Sequence, residues 1–243
     1  MSAPVFLAET AQLDREHITL TGPEGRHAAT VRRLRPGERV DLTDGRGRYA
    51  RCAVTATGRD TLELDVEARS QVPAPEPSLT VVQALAKGER GELAVETMTE
   101  VGVDVIVPWE AAHCVARWRG DRAAKGLTRW RTTAREAAKQ ARRAWFPEVA
   151  ELAGTGDVAR RLAAAELAVV LHEEAAEPLS AVAVPASGEI VAVVGPEGGL
   201  TGDEVAAFAE AGARPVRLGP TVLRTSTAGA AAAAVLQTGC GRW

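Results

Sequence analysis

The spacing of hydrophobic and polar positions changes character once along the chain. Early on, apolar residues come in short alternating segments, Arg39–Leu42, Tyr49–Thr55 and Thr61–Val66, separated by glycine-bearing turns such as Asp44-Gly45-Arg46-Gly47. Alternation sends successive side chains to opposite faces, so these segments predict strands with one buried face. Later, the apolar runs are nearly continuous: Leu79–Ala86, Val103–Val107, Leu167–Leu171, Ile190–Val194 and Val216–Leu218, with helical stretches between them. Strands that are apolar on both faces belong to a parallel sheet covered on each side by helices. Between the two patterns lies Gln71-Val72-Pro73-Ala74-Pro75-Glu76-Pro77-Ser78, whose clustered prolines can continue neither a helix nor a central strand. The expected architecture is α/β: a small β-barrel over 1–72, a proline-rich linker over 73–78 and a parallel-sheet domain over 79–243.

Three helices stand out. Thr201 and Glu204 have capping-box spacing directly after Gly198-Gly199, and Gly212 is placed to close the helix they open. Ala228–Leu236 is an alanine-rich helix whose small side chains permit close approach of a second helix. The third helix has Leu127, Trp130, Ala134, Ala137 and Ala141 on one side, with Arg131, Arg135, Lys139 and Arg142 spaced four, four and three on another.

Charge sharpens this picture. The net charge of −3 argues against an indiscriminate nucleic-acid binder, yet ten basic residues face Asp121 and Glu136 between Val115 and Arg143. A weaker basic stretch from Arg26 to Arg51 has eight arginines against three acids and includes Arg32 and Arg35. Arg32, Arg35, Arg131, Arg135, Lys139 and Arg142 are therefore candidate phosphate contacts, the alternative being a solvated helix face. Cys52, Cys114 and Cys240 have no zinc-ligand spacing, so no metal and no disulfide framework is expected. No apolar run nears the roughly 18 residues of a membrane span, and Glu9 interrupts Met1–Leu13, so neither a span nor a secretion signal is expected and the chain should stay in the cytoplasm.

Candidate chemistry lies where predicted strands end. Gly195-Pro196-Glu197-Gly198-Gly199 follows Ile190–Val194, Leu218-Gly219 opens a second exit that runs to Ala228, and Leu171-His172-Glu173 forms a third. Ligands of open α/β sheets bind outside the carboxyl ends of strands, where glycines admit close approach, and Gly198 is expected to leave such room. Bland readings stand beside these: a flexible turn at Gly198-Gly199, helix capping by Thr225 or Ser226, a surface charge at Arg224, a satisfied polar histidine at His172. Gly154-Thr155-Gly156-Asp157-Val158-Ala159 matches a dinucleotide-binding fingerprint but lacks a preceding buried strand.

Several of these stretches together resemble the ribosomal RNA small-subunit methyltransferase E family, a branch of the knotted SPOUT methyltransferases, over essentially the whole chain. They are His27-x3-Val31-Arg32-x-Leu34-Arg35-x-Gly37, Gln83-Ala84-Leu85-Ala86-Lys87-Gly88-Glu89-Arg90, Thr99-Glu100-Val101-Gly102-Val103 with Pro108, Ala134-Arg135-Glu136-Ala137-Ala138-Lys139-Gln140, Val194 to Gly199, and Leu218-Gly219-x3-Leu223-Arg224-Thr225. The resemblance implies a PUA-like RNA-binding barrel and a trefoil-knotted α/β domain. It also implies a homodimer that uses S-adenosyl-L-methionine to make 3-methyluridine in 16S ribosomal RNA, free or in the assembled small subunit. The implied cofactor residues are Leu171, His172, Glu173, Gly195, Pro196, Glu197, Gly198, Gly199, Leu218, Gly219, Leu223, Arg224, Thr225, Thr227 and Ala228. Arg224 is the candidate cation for the developing uracil anion and Glu197 the candidate proton acceptor. This chain departs from the pattern at Ser226, where many relatives carry an acid, and at His113-Cys114. A non-catalytic RNA-binding assembly factor is the competing class, separated by whether the chain binds the cofactor.

Overall fold

The computed structural model describes residues 3–243, so Met1 and Ser2 of the segment Met1–Leu13 lie outside the described residues. The chain divides into two compact units: residues through Ala74 with Ala138–Phe146, and Pro75–Ala137 with Pro147–Trp243.

In the first unit, β1 (Val5–Leu7), β2 (His17–Leu20), β3 (Arg39–Thr43), β4 (Arg48–Thr57) and β5 (Leu62–Gln71) form a curled PUA-like sheet in the order β1-β3-β4-β5-β2. Only β1 pairs in parallel, with β3; the other ladders are antiparallel. The alternating positions do what their period requires: Val40, Leu42, Ala50, Cys52, Val54, Leu62 and Leu64 all turn into one core, joined by Phe6, Ile18 and Leu20. A short helix α1 (Gly22–Arg26) brings Glu24 beneath this sheet's edge, where its Oε2 accepts from the Leu7 amide at 3.2 Å.

The sequence gives no hint that Ala138–Phe146 returns to this unit. The Gly47 amide donates to the Ala144 carbonyl and the Phe146 amide to the Gly45 carbonyl, each at 2.9 Å. Both glycines hold positive φ, and a Cβ on Gly45 would come within 3.0 Å of the Phe146 ring. The turn after β3 is thus shaped around the returning segment, and this is why it reads Asp44-Gly45-Arg46-Gly47.

In the second unit, β6 (Ser78–Ala84), β7 (Val105–Trp109), β8 (Glu148–Val149), β9 (Leu167–Leu171), β10 (Glu189–Val194) and β11 (Arg214–Val216) make an all-parallel sheet ordered β11-β9-β10-β6-β7-β8. Its central strands are buried on both faces: Val81, Val82, Ala84, Val169, Val191, Ala192 and Val193 are all buried. The helices are α2 (Arg90–Glu100), α3 (Asp121–Gln140, whose residues from Ala138 on belong to the first unit), α4 (Thr155–Ala164), α5 (Gly202–Glu210) and α6 (Thr225–Gly239). The expected capping box of α5 forms, with Thr201 Oγ1 accepting from the Glu204 amide at 3.2 Å and Glu204 Oε2 accepting from the Thr201 amide at 2.9 Å.

Two helices differ from expectation. Helix α6 begins at Thr225 rather than Ala228, because its first turn is anchored by tertiary bonds rather than a side-chain cap. Its Gly229, Ala232, Ala233 and Leu236 are buried within the unit, where a Cβ on Gly229 would come within 2.7 Å of Met98 Sδ. Those small residues therefore serve the packing of α6 on α2 rather than a surface. Helix α3 ends at Gln140, so Arg142 lies beyond it with left-handed backbone, φ 55°. No helix among the described residues is long and apolar enough to cross a membrane.

Candidate active site

Strands β11, β9 and β10 are neighbours in a parallel sheet, so their carboxyl ends deliver three loops to one edge. These loops, with Arg90 at the start of α2, line a cavity of about 530 Å³. Leu171, His172 and Glu173 come from the β9 exit, Gly195 to Gly199 from the β10 exit, and Leu218, Gly219, Leu223, Arg224 and Thr225 from the β11 exit, with Ala228 behind them. Thr227 is not in the wall: it is exposed, and its hydroxyl donates to the Arg224 carbonyl at 3.1 Å. Ser226 is buried in the first turn of α6 and also stays out of the wall, so an acid at that position is not needed to build this cavity.

The loops are fastened by a small polar network. Thr225 Oγ1 donates to the Gly195 carbonyl at 2.7 Å, and Gln83 Nε2 donates to Thr225 Oγ1 at 3.2 Å and to the Thr225 carbonyl at 3.3 Å. Gln83 near the end of β6 is fully buried, so the ends of β6 and β10 and the start of α6 are joined in a place that excludes water, where such bonds are strongest. Pro196 to Gly199 forms a tight turn closed by the Gly199 amide on the Pro196 carbonyl at 3.0 Å, and the φ of +73° at Gly199 calls for glycine. Gly198 lines the cavity, and its backbone is also hemmed in from behind: a Cβ there would lie 3.0 Å from His113 Cβ and 3.3 Å from the His113 carbonyl oxygen, so packing against His113 calls for a small residue as well.

His113 and Arg90 are the wall-supporting residues missed by the sequence reading. The His113 ring nitrogen Nδ1 donates to the Gly198 and Gly199 carbonyls at 3.1 and 3.2 Å. Arg90 faces Glu197 at 3.5 Å, so the carboxylate proposed as a proton acceptor has a cation beside it. The glycine-bearing exit after β6, Lys87-Gly88-Glu89-Arg90, was the available signal for Arg90, and for His113 the only one was the departure from the family pattern at His113-Cys114. His172 Nδ1 accepts from the Glu174 amide at 3.2 Å, which orients the ring. Arg224 is exposed and, among the described residues, makes no side-chain hydrogen bond or ion pair, leaving its guanidinium available at the cavity rim.

The predicted cationic ridge does not hold together. Arg131 donates to the Val149 carbonyl at 3.1 Å and pairs with Glu151 at 2.8 Å, and Arg135 lies 3.4 Å from Glu136. Lys139 is buried, with its ammonium 2.8 Å from Glu24 Oε1 and 6.0 Å from the Phe6 ring centroid. It cannot meet a phosphate, which removes it from the candidate RNA contacts. Arg142 is exposed but its charge acts on Asp41, whose carboxyl burial holds above the ordinary range. Arg32 and Arg35 are exposed on the first unit. At Gly154 the amide donates to Asp157 Oδ2 at 2.9 Å to start α4, and the nearest preceding strand is the two-residue β8, so the fingerprint there is a helix cap.

Residues 73–237 match the model of the RNA methyltransferase domain, and residues 20–67 that of the RNA methyltransferase PUA domain. The chain is 49% identical over 247 residues to ribosomal RNA small subunit methyltransferase E of Mycobacterium bovis, covering 100% of this chain and 94% of that protein. The chain belongs to the ribosomal RNA small subunit methyltransferase E family. A crystal structure of a member from Neisseria gonorrhoeae bound to S-adenosyl methionine aligns with a TM-score of 0.85 at 30% identity, covering 98% of each chain. A methyltransferase from Legionella pneumophila in complex with the same molecule shares the fold, with a TM-score of 0.88 at 24% identity and 98% of each chain covered. As a member of the methyltransferase E family, the chain is an RNA methyltransferase whose catalytic domain is the parallel-sheet unit and whose first unit is PUA-like.

Proposed function

We propose that this enzyme methylates N3 of a uridine in 16S ribosomal RNA with S-adenosylmethionine as donor, acting in the cytoplasm as a homodimer with a trefoil-knotted catalytic domain. The reading is carried by one observation: three adjacent strand exits converge on a single cavity with the guanidinium of Arg224, unpaired among the described residues, at its rim. The cavity's size of about 530 Å³ suits a nucleoside-sized ligand, since such sites run from roughly 300 to 1,000 Å³. Its wall alternates glycine backbone with apolar Leu171, Leu200 and Leu218, which fits a ligand that is partly aromatic and partly polar. The backbone groups of Gly195 to Gly199 and of Leu218 and Gly219 would hold it. When bound, the cofactor supplies an electrophilic methyl group on a sulfonium.

The protein's part is to make a uracil nitrogen nucleophilic and to keep it in place. Uracil N3 carries a proton at neutral pH, and its loss leaves negative charge shared with the flanking carbonyl oxygens. Arg224 stabilises that charge from the rim, its guanidinium free of other partners among the described residues and able to turn to the bound uracil. Glu197 is the proposed acceptor of the proton, with Arg90 holding the carboxylate in the wall. The dimer reading draws on the family resemblance, with the part-exposed Ala231 and Ala234 of α6 available to it.

Replacing Arg224 tests the assignment. Arg224→Ala should lower kcat on 16S ribosomal RNA by about a hundredfold or more, with cofactor affinity by calorimetry little changed. Nucleoside mass spectrometry should find 3-methyluridine as the product. Undiminished kcat in Arg224→Ala, or a different methylated nucleoside, refutes the proposal.

A further inference from the structure

The basic residues of α3 that remain available are not those of the predicted ridge but those of the helix's first turns. Arg122 and Lys125, with Lys87 from the β6 exit, make no side-chain hydrogen bond or ion pair among the described residues, whereas Arg131 and Arg135 face acids. These three cations lie along a groove of about 650 Å³ between the β6 exit and the start of α3. The acids there are Glu89 and Glu92, and Glu92 is neutralised by Arg129 at 3.1 Å. The groove is also aromatic. Trp118 is half-buried, laid against Gly126 so closely that a Cβ on that glycine would come within 2.6 Å of the indole, and it meets Trp130 edge-on at 5.1 Å. Gly126 thus provides the flat seat that holds the Trp118 ring in the groove wall. Val115, 70% exposed, continues the apolar surface.

We infer that this groove binds a single-stranded segment of the RNA substrate, Lys87, Arg122 and Lys125 contacting phosphates and Trp118 stacking on a base. Cations along a trough with an aromatic ring in its wall are what an unpaired strand requires: charge for its backbone and a flat apolar face for its bases. Position supports the same conclusion. Lys87, Gly88 and Glu89 line the groove while the next residue, Arg90, lines the candidate active-site cavity, so a strand in the groove runs beside the loop that bounds that cavity. The groove is therefore a positioning site for nucleotides flanking the target, resting on the reading of the cavity as the place of methyl transfer.

Filter binding of polyuridylate to the full-length protein over a salt series tests the inference. Each phosphate contact to a single strand contributes roughly 0.7 to the slope of log affinity against log salt. The Arg122→Ala, Lys125→Ala double variant should bind more weakly with the slope reduced by about 1.4, while Arg122→Lys, Lys125→Arg retains it. Trp118→Ala should lose about tenfold in affinity with the slope unchanged, because stacking releases no counterions. The Arg131→Ala, Arg135→Ala variant should behave as wild type. An unaltered slope in the first variant, or loss of slope only in the last, overturns the inference. Cofactor affinity measured on the same proteins keeps the readings apart: wild type that fails to bind S-adenosylmethionine refutes the active-site proposal, whatever the RNA data show.

Discussion

Glu204 is a carboxylate at 3% exposure that ties the catalytic fold to its active-site loop, and its removal should be felt in both. Its Oε2 accepts from the Thr201 amide at 2.9 Å and the Thr201 hydroxyl at 3.0 Å, while Oε1 accepts from the Ala112 amide at 2.8 Å. Ala112 precedes His113, whose ring holds the Gly198 and Gly199 carbonyls. Glu204→Ala removes two backbone hydrogen bonds to a charged acceptor, each worth roughly 1.5–3 kcal/mol. Water reaches Ala112, which is exposed, and recovers part of this, while the Thr201 hydroxyl still caps the Glu204 amide. The net loss should be about 2–4 kcal/mol. Glu204→Gln keeps one acceptor oxygen but turns an amide group toward a backbone donor, and should cost about half as much.

Thermal unfolding followed by tryptophan fluorescence reads this, because four of the five tryptophans, Trp109, Trp118, Trp130 and Trp243, lie in the catalytic unit and only Trp145 in the first. At about 2–4 °C per kcal/mol for a domain of this size, Glu204→Ala should lower that unit's Tm by roughly 4–16 °C, with Glu204→Gln between it and wild type. Hydrogen exchange should accelerate at the Ala112 and Thr201 amides, and cofactor affinity should fall as the His113 support loosens. A Tm within about 1 °C of wild type, well under one kcal/mol, with Ala112 exchange unchanged, would refute the argument that this carboxylate bridges the two loops.

Two further outcomes follow from buried groups. Lys139→Ala removes the ammonium paired with Glu24 and should destabilise the first unit by about 3 kcal/mol, the low end for a broken buried pair because Glu24 keeps some contact with water, read by urea denaturation; a neutral effect would mean the pair at 2.8 Å contributes nothing net. Burial, reinforced by Asp41, pushes the Cys52 thiol up to about 12, and burial also raises that of Cys114, so iodoacetamide near pH 8 should label Cys240 in the native protein and spare the other two. Mass spectrometry checks this, and rapid native labelling of Cys52 would contradict the enclosed core around β4.

The parts of the molecule legible in sequence are those whose signal is local. β6, β9 and β10 announce themselves as two-faced apolar runs, and the α5 capping box needs only Thr201 and Glu204. β1, β2 and β8, with two to four residues each, are too short to display a period. The cavity loops were legible because glycines at strand ends mark close backbone approach, and Gly88 at the β6 exit marked Arg90 in the same way, but the hydrogen bonds of His113 to Gly198 and Gly199 span about 85 residues of chain and have no local pattern. The cationic ridge fails for a geometric reason as well. Successive steps of four residues drift by about 40° around a helix of 3.6 residues per turn, so Lys139 is carried some ~80° from Arg131. That rotation takes it from the exposed side toward buried Ala138 and Glu24. The steps from Arg122 to Lys125 to Arg129 are three and four, which nearly cancel the drift and keep these charges on one side. Arg129 is nonetheless occupied by Glu92, so periodicity narrows the cations available to RNA but only their tertiary partners decide among them.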